Sequence, residues 1–146
     1  MSSTDIQKPF RQMLLGNGFG YGAELVTTRG FVPPEQPNKL AELGDQLCRD
    51  PRIAWVSITD NPGGNMMLPP DWLARLLPGA RDRIVLHLTC KDRNRNALES
   101  AAWQFASEGF QNVLAMTGDY PRGGFGGTAT PVFDLDSVSL IALLHA

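Results

Sequence analysis

The sequence has little of three things that would assign it to a broad class: basic charge, cysteine and long apolar runs. Its 13 Lys and Arg against 15 Asp and Glu give a formal net charge of −2, so it lacks the basic excess typical of nucleic-acid binding. No apolar stretch is long enough for a membrane span, and the polar start MSSTDIQKPFRQ lacks the apolar centre of a signal peptide. These absences predict a cytoplasmic protein that binds neither nucleic acid nor membrane.

The shortage of cysteine excludes a disulfide-built fold. Cys48 and Cys90 fall on different predicted elements, without the spacing of metal ligands, so we expect two free thiols in a reducing cytosol and no metal site. A hydrophobic content of 42% over 146 residues suits one globular domain with its own core. We expect a mobile N-terminal arm at residues 1–20 and the domain at residues 21–146.

What the sequence does have is a strand-like segment followed by a helix-like one, four times over. The strand-like runs are YGAELVT, RIAWVSITD, DRIVLHLTC and QNVLAMTG, and the helix-like runs are NKLAELGDQLCRD, PPDWLARLLPG, NRNALESAAWQFASEG and DLDSVSLIALLHA. Runs that are apolar on both faces indicate a parallel sheet covered by helices. The fold class is therefore α/β, either a TIM barrel or an open doubly wound sheet.

Neither glycine-rich stretch favours the doubly wound nucleotide-binding fold. GNGFGYG comes before the first strand rather than after it, which is typical of a flexible approach loop. RGGFGG follows the fourth strand but opens no helix and lacks a following Lys-Ser/Thr, so it indicates a loop or lid more than a phosphate cradle.

Three local patterns give finer predictions about the helices. Leu40, Leu43 and Leu47 share a face of the first helix-like run. Asn96 is a candidate N-cap of the third, and Asp136 or Ser137 of the fourth.

Each predicted strand carries polar residues near its carboxyl end: Glu24 on the first; Thr59 and Asp60 on the second; His87, Thr89 and Cys90 on the third; Thr117 and Asp119 on the fourth. Each has a structural explanation when taken alone, such as a core histidine or an acid that fixes its own turn. A glutamate in an apolar strand, however, must be paired, protonated or facing a cavity. Because the carboxyl ends of parallel barrel strands form one face, the set together predicts a site there.

Two blocks in the second half carry a family resemblance. HLTC at residues 87–90, a helix, and then GFQNVLAMTGDYP resemble the methylenetetrahydrofolate reductase family, whose pattern is roughly H-L-T-C, a helix and G-I-x-N-I-L-A-L-R-G-D-x-P. WVSIT at residues 55–59 matches that family's V-S-V-T strand, and Glu24 falls at the acid of its F-E-F-F-P-P block. Thr117 stands where the family has the arginine of R-G-D, which weakens or changes a flavin contact there.

The resemblance implies a flavin-dependent TIM barrel. FAD accepts hydride from NADH or NADPH and passes it to 5,10-methylenetetrahydrofolate, giving 5-methyltetrahydrofolate. Glu24 is then the general acid that opens the folate's methylene bridge, and Asp119 is the second catalytic residue, beside the pterin and the flavin ring. The implied cofactor-binding residues are Thr59, His87, Thr117, Gly118 and Asp119. An apolar strand around Glu24 would suit its role, because desolvation favours the protonated carboxyl.

The family's barrel has eight strands, and this sequence supplies four β-α units, a half-barrel. We therefore expect either a fragment of a longer protein or a half completed by self-association or by a partner that supplies the other half. The strand order should be 1-2-3-4 with helices on one side, and the truncated apolar helix containing Leu140, Ile141, Leu143 and Leu144 should need cover. Two alternatives stay open: a non-catalytic half-barrel subunit that binds flavin or pterin, and a pterin-dependent methyltransferase barrel.

Overall fold

The strands and helices of the chain alternate as the sequence predicts. The computed structural model describes residues 10–36, 38–77, 79–124 and 126–145. The strands are β1 Tyr21–Leu25, β2 Ile53–Ile58, β3 Ile84–Thr89, β4 Asn112–Met116, β5 Gly123–Gly124 and β6 Gly127–Thr128. The helices are α1 Phe10–Leu15, α2 Lys39–Arg49, α3 Pro70–Ala74, α4 Arg95–Ser107 and α5 Ser137–Leu144, with a short 3-10 turn at Pro62–Gly64.

The first four strands form one parallel sheet in the order β1-β2-β3-β4. A helix follows each of these strands, as the crossover between parallel neighbours requires. The order has no reversal point, which excludes the doubly wound arrangement and confirms the predicted half of a TIM barrel. Strands β5 and β6 pair separately as a small antiparallel ribbon in the loop after β4.

The sheet separates an apolar face from a face that carries polar groups. On β3, Ile84, Leu86 and Leu88 are 0% exposed and belong to the core that also takes in Leu73 of α3 and Leu98 of α4. Successive side chains of a strand point to opposite faces, so Val85 and His87 lie on the other face, which is the interior of a barrel. This alternation positions the functional side chains.

A short polar side chain caps the N-terminus of each of the three longest helices. Asn38 accepts a hydrogen bond from the backbone N–H of Ala41 at the start of α2, and Asp136 caps α5 as predicted, accepting from Ser139. The N-cap of α4 is Asn94, not the predicted Asn96, because the helix begins two residues earlier than expected. Among the described residues no helix combines the length and the apolar character needed to cross a membrane.

Helix α2 buries a slightly different stripe from the predicted one. Gly44 and Cys48 are its buried residues, while Leu43 is 46% exposed. A Cβ at Gly44 would lie 3.0 Å from a methyl group of Leu77 and 3.2 Å from one of Leu25, so the glycine sets how closely the helix approaches the core. The leucine pattern identified the helix correctly, but the residues that it buries lie about one position after two of the predicted leucines.

Both cysteines are free, as the sequence predicts, and both are buried. Burial raises the pKa of the Cys48 and Cys90 thiols above the usual value. A buried thiol that resists ionisation is a poor nucleophile and metal ligand, so both residues serve packing.

Helix α1 lies within the segment predicted to be a mobile arm, whose first nine residues are outside the described ones. Its Phe10 ring is 5.6 Å from the ring of Trp55 on β2. Gly22 makes room for that indole, since a Cβ there would come within 2.1 Å of it. Because Trp55 points away from the face that packs on α2 and α3, the helix covers the other face, and the prediction of helices on one side only was wrong for α1. The division into an arm and a domain at residue 21 stays a prediction.

A large apolar groove borders the β4 edge of the sheet, between α4, β4 and α5. It encloses about 1080 Å³, and its lining includes Trp103, Phe110, Leu114, Ile141 and Leu144. Trp103 is 65% exposed, Ile141 49% and Leu114 44%, whereas Leu140 of the same helix α5 is fully buried in the core. Apolar surface of this extent is typical of an interaction site.

We expect the isolated 146-residue polypeptide to self-associate through this groove. Light scattering coupled to gel filtration should give a mass above that of one chain, and Ile141→Lys should lower it, because a charge would be desolvated in the contact. Val138→Lys is the matched control: it lies on the same helix and is 72% exposed, but does not line the groove. A monomer at high concentration, or equal effects of the two lysines, would refute the expectation.

Candidate functional site

Glu24 and His87 come together on the interior face, near the carboxyl ends of β1 and β3. Glu24 Oε2 lies 3.9 Å from His87 Nε2. Strand β2 runs between them, and its residue in register with Glu24 is Ser57, whose small side chain leaves space for the two longer ones to meet. Two residues far apart in the sequence, a carboxylate and an imidazole, thus share one surface.

The imidazole of His87 is buried but lacks a hydrogen-bond partner at one nitrogen. His87 is 5% exposed, and its Nε2 has no partner among the described residues. Burial lowers the pKa of His87 from its usual 6.5, and the opposing effects of Glu24 and Asp60 are smaller. A buried histidine with a free ring nitrogen has hydrogen-bonding capacity to offer a ligand, unlike a core histidine whose bonds are complete.

Glu24 sits in a different environment from the expected one. Its side chain is 59% exposed, so the described chain does not supply the apolar surroundings predicted for it. The reason is its place on the interior face of the edge strand β1, where only one neighbouring strand shields it. Any desolvation of this carboxyl must come from whatever covers the interior face.

Thr59 is used to join the ends of β1 and β2. Its backbone N–H donates to the carbonyl of Leu25 at 3.0 Å, and its hydroxyl donates to the same oxygen at 3.4 Å. The residue is 4% exposed. Thr59 thus lies at the predicted carboxyl end of the sheet, near Glu24. Its hydroxyl donates to the backbone, and the lone pairs of the hydroxyl oxygen stay free to accept a hydrogen bond.

Asp119 ties the loop after β4 to the loop after β2. Its carboxylate accepts a hydrogen bond from the backbone N–H of Gly63 at 2.9 Å. Close by, Arg122 N–H donates to the carbonyl of Gly64 at 2.8 Å, and a Cβ on Gly64 would lie 2.0 Å from the carbonyl oxygen of Tyr120. Asp119 is exposed, so its second oxygen is open to a ligand.

Thr117 and Gly118 complete the predicted set. The Thr117 hydroxyl accepts from the backbone N–H of Ser137 at 3.1 Å and so joins β4 to the start of α5. Gly118 has φ +89°, a conformation that favours glycine, and a Cβ there would come within 2.9 Å of the side chain of Lys91. All six predicted site residues lie at the carboxyl end of the sheet. Their roles stay predictions.

One polar cluster at this end was not assigned a role from the sequence. Asp60 is 3% exposed and accepts hydrogen bonds from the backbone N–H of Thr89 at 3.0 Å and from its hydroxyl at 2.8 Å. The guanidinium of Arg93 also contacts the Asp60 carboxylate. The sequence placed Asp60 at a strand end, but no spacing rule connects it with an arginine 33 residues later. Asp60 holds the ends of β2 and β3 together.

Within the described stretches, no group of three or more His, Cys, Asp or Glu side chains is arranged to hold a metal ion. The polar side chains at the carboxyl end are not clustered around one point but are spread across the face. Such an arrangement suits an extended organic ligand better than an ion.

Comparison with known proteins supplies one match. The family model described as Methylenetetrahydrofolate reductase matches residues 22–145, which include every site residue named above and all the strands except the first residue of β1. A search of curated proteins finds no match.

The Asp60 cluster predicts a large effect on stability. Asp60→Asn keeps the side-chain shape but removes the charge that faces Arg93, and we expect it to lower the free energy of unfolding by about 3 kcal/mol. Asp45→Asn, which loses an exposed pair with Arg49, should change it little. Urea unfolding of both variants tests this. Equal small losses would show that Asp60 does not hold the strand ends together.

His87 predicts a pH dependence of stability. Its pKa is lowered in the folded protein, so between that value and 6.5 the unfolded chain binds more protons. Stability should therefore rise with pH through this window and fall as pH drops below 6.5. His87→Gln should flatten the slope of melting temperature against pH over the same range. An unchanged slope in the variant would show that another group titrates there.

Proposed function

Because the chain belongs to the methylenetetrahydrofolate reductase family, we propose that its carboxyl-end face serves the reduction of 5,10-methylenetetrahydrofolate to 5-methyltetrahydrofolate. The family is folate-related and generally flavin-dependent. Bound FAD supplies the hydride chemistry, drawing on NADH or NADPH as co-substrate. The observation that carries the proposal is the meeting of Glu24 and His87 at the face where a barrel enzyme binds its substrate.

Two features of the face fit a planar, hydrogen-bonding cofactor ring. The Nε2 of His87 is buried without a partner in the described chain, so a ring heteroatom is a suitable partner for it. Gly118 has a positive φ, so the chain can turn sharply at the end of β4, and the side chains of Lys91 and Thr89 pack where its Cβ would lie, which brings a polar turn and a cation to the edge of this face. His87, Thr59 and the segment Thr117–Asp119 are the residues that would hold the flavin.

Glu24 is the proton donor in this proposal. A general acid must reach the departing nitrogen of the folate and be protonated near neutral pH. Exposure of 59% makes its carboxyl reachable from the interior face. A folate and a flavin over that face would exclude water, and desolvation favours the protonated carboxyl. The ligands would thus provide the environment that the described chain lacks.

Asp119 acts differently, through charge and position. Its bond to Gly63 fixes the carboxylate next to Gly118, at the carboxyl end of β4, where it would lie near a flavin bound at this face. A carboxylate near a flavin tunes the energy of its reduced and oxidised states. Its effect should therefore extend to both halves of the reaction, whereas Glu24 acts only on the folate.

Glu24→Gln tests the assignment in the flavin-loaded protein. The amide keeps the size of the side chain but cannot donate a proton to the folate, so folate reduction should slow by about 10²–10⁴-fold. Reduction of the flavin by nicotinamide needs no such proton and should be nearly unchanged. Stopped-flow absorbance separates the two half-reactions.

Asp119→Asn is the comparison variant, and it should change both half-reactions moderately. If Glu24→Gln slowed both halves equally, Glu24 would hold the flavin or the fold, and its assignment as the acid would be wrong. Protein that binds tetrahydrofolate but no flavin would favour the methyltransferase alternative instead.

A further inference from the structure

Within the described part of the chain, the parallel sheet has two unpaired edges, β1 on one side and β4 on the other. The two strands have the same length, five residues each, and both run parallel to their neighbours. Because they are opposite edges of one parallel sheet, β4 of one copy can pair in parallel with β1 of another. Such edges are templates for pairing with another chain, and closure into a barrel removes them.

The backbone of each edge strand points outward at alternate residues. The carbonyl of Met116 on β4 accepts from the Cys90 N–H at 3.0 Å, so the backbone groups of Met116 face β3. The carbonyl of Leu25 on β1 accepts from the Thr59 N–H at 3.0 Å, so those of Leu25 face β2. Successive residues of a parallel strand bond to opposite sides. The N–H groups that face the unpaired edges are therefore those of Val113 and Ala115 on β4 and of Gly22 and Glu24 on β1.

Exposed apolar side chains lie along both edges. Leu114 of β4 is half-exposed and, being in register with His87, points to the interior face. Tyr21, at the start of β1, is 63% exposed, and Val26, just after its end, is 45% exposed. The apolar groove between α4, β4 and α5 continues the β4 edge into the helix layer. A chain laid along either edge would thus bury apolar surface as well as bond the backbone.

We propose that two copies of this chain pair edge to edge, β4 of each against β1 of the other, and so close an eight-stranded barrel around the interior face. The two contacts are equivalent under a twofold axis, which is the commonest symmetry of homodimers. Eight parallel strands are also the number at which such a sheet closes around an interior filled by side chains.

The second copy completes the site around Glu24. The Glu24 side chain is 59% exposed because β2 shields it from one side alone. In the closed barrel the partner's β4 occupies the other side and brings the partner's Leu114 to the same interior face. The pairing follows from the unpaired edges, and only the use of Glu24 as a proton donor rests on the proposed function.

Val113→Pro tests the pairing, because proline lacks the outward N–H, has a side chain of similar size and leaves the bonds to β3 in place. Analytical ultracentrifugation of the wild-type polypeptide should show a species of two chains. Val113→Pro should raise its dissociation constant by about tenfold or more, since a bond is lost at each of two equivalent contacts. Val113→Ala is the matched control: it trims the side chain but keeps the N–H, so it should dimerise as wild type does. If Val113→Pro does not fold, Ala115→Pro removes the other outward N–H of β4.

A mixture of two variants identifies the strands that pair. Glu24→Pro blocks the β1 edge as Val113→Pro blocks the β4 edge, so each alone should dimerise weakly. An equimolar mixture should recover the two-chain species, because the intact β1 of one variant can pair with the intact β4 of the other. A monomeric wild type, a species of more than two chains, equal dissociation constants for wild type and Val113→Pro, or no recovery in the mixture would each overturn the proposal.

Labelling of carboxyl groups with a water-soluble carbodiimide, followed by mass spectrometry, tests the place of the partner in the site. Glu24 should react several-fold more slowly in the wild-type dimer than in monomeric Val113→Pro, because the partner covers it. Equal rates would contradict the closed barrel. Neither measurement uses flavin or folate, so a failure here is distinct from a failure of the proposed reaction.

Discussion

The hydrogen bonds to the buried carboxylate of Asp60 are the interaction on which the carboxyl face depends. Asp60 follows β2 and accepts bonds from the backbone and the hydroxyl of Thr89, the last residue of β3. Thr59 precedes it and is bonded to Leu25 of β1, so three strand ends are joined within a few residues. His87 lies two residues before Thr89, so the bonds that join these strand ends also fix its position relative to Glu24. The loops beyond β2 and β4 are then connected through Asp119.

Much of the fold could be predicted from the sequence because strand and helix periods are local. The run from Ile84 to Thr89 alternates between core and interior residues, which a period of two predicts. The strand order follows from the connections, since helical crossovers favour sequential neighbours. Of the two caps predicted for α5, Asp136 and Ser137, the structure has Asp136, whereas the cap of α4 is Asn94 and not the predicted Asn96. Helix α1 was not predicted, because it is short and its packing depends on the contact of Phe10 with Trp55, which lies forty-five residues later in the sequence.

The sequence predicted which residues form the site better than it predicted the surroundings of their side chains. Polar strand ends placed Glu24, Thr59, His87 and Asp119 at one end of the sheet, because parallel strands share that end. Exposure of Glu24 depends on its being on an edge strand, which a strand pattern alone does not give. The chain has Thr117 where the family pattern has arginine, and here that threonine bonds the start of α5. The buried cation at this end is instead Lys91, beside Gly118, and its burial gave no signal in the sequence.

In the proposed function, a flavin ring bound at the carboxyl face contacts His87. Titration of FAD into the chain, followed by the change in flavin absorbance and fluorescence, measures it most directly. We expect saturable binding by wild type that His87→Leu weakens by about tenfold or more, since the hydrogen bond to a buried ring nitrogen is lost. Arg49→Gln, an exposed change at the opposite end of the sheet where α2 ends, should bind as wild type does. No binding by wild type, or equal binding by His87→Leu, would contradict the claim.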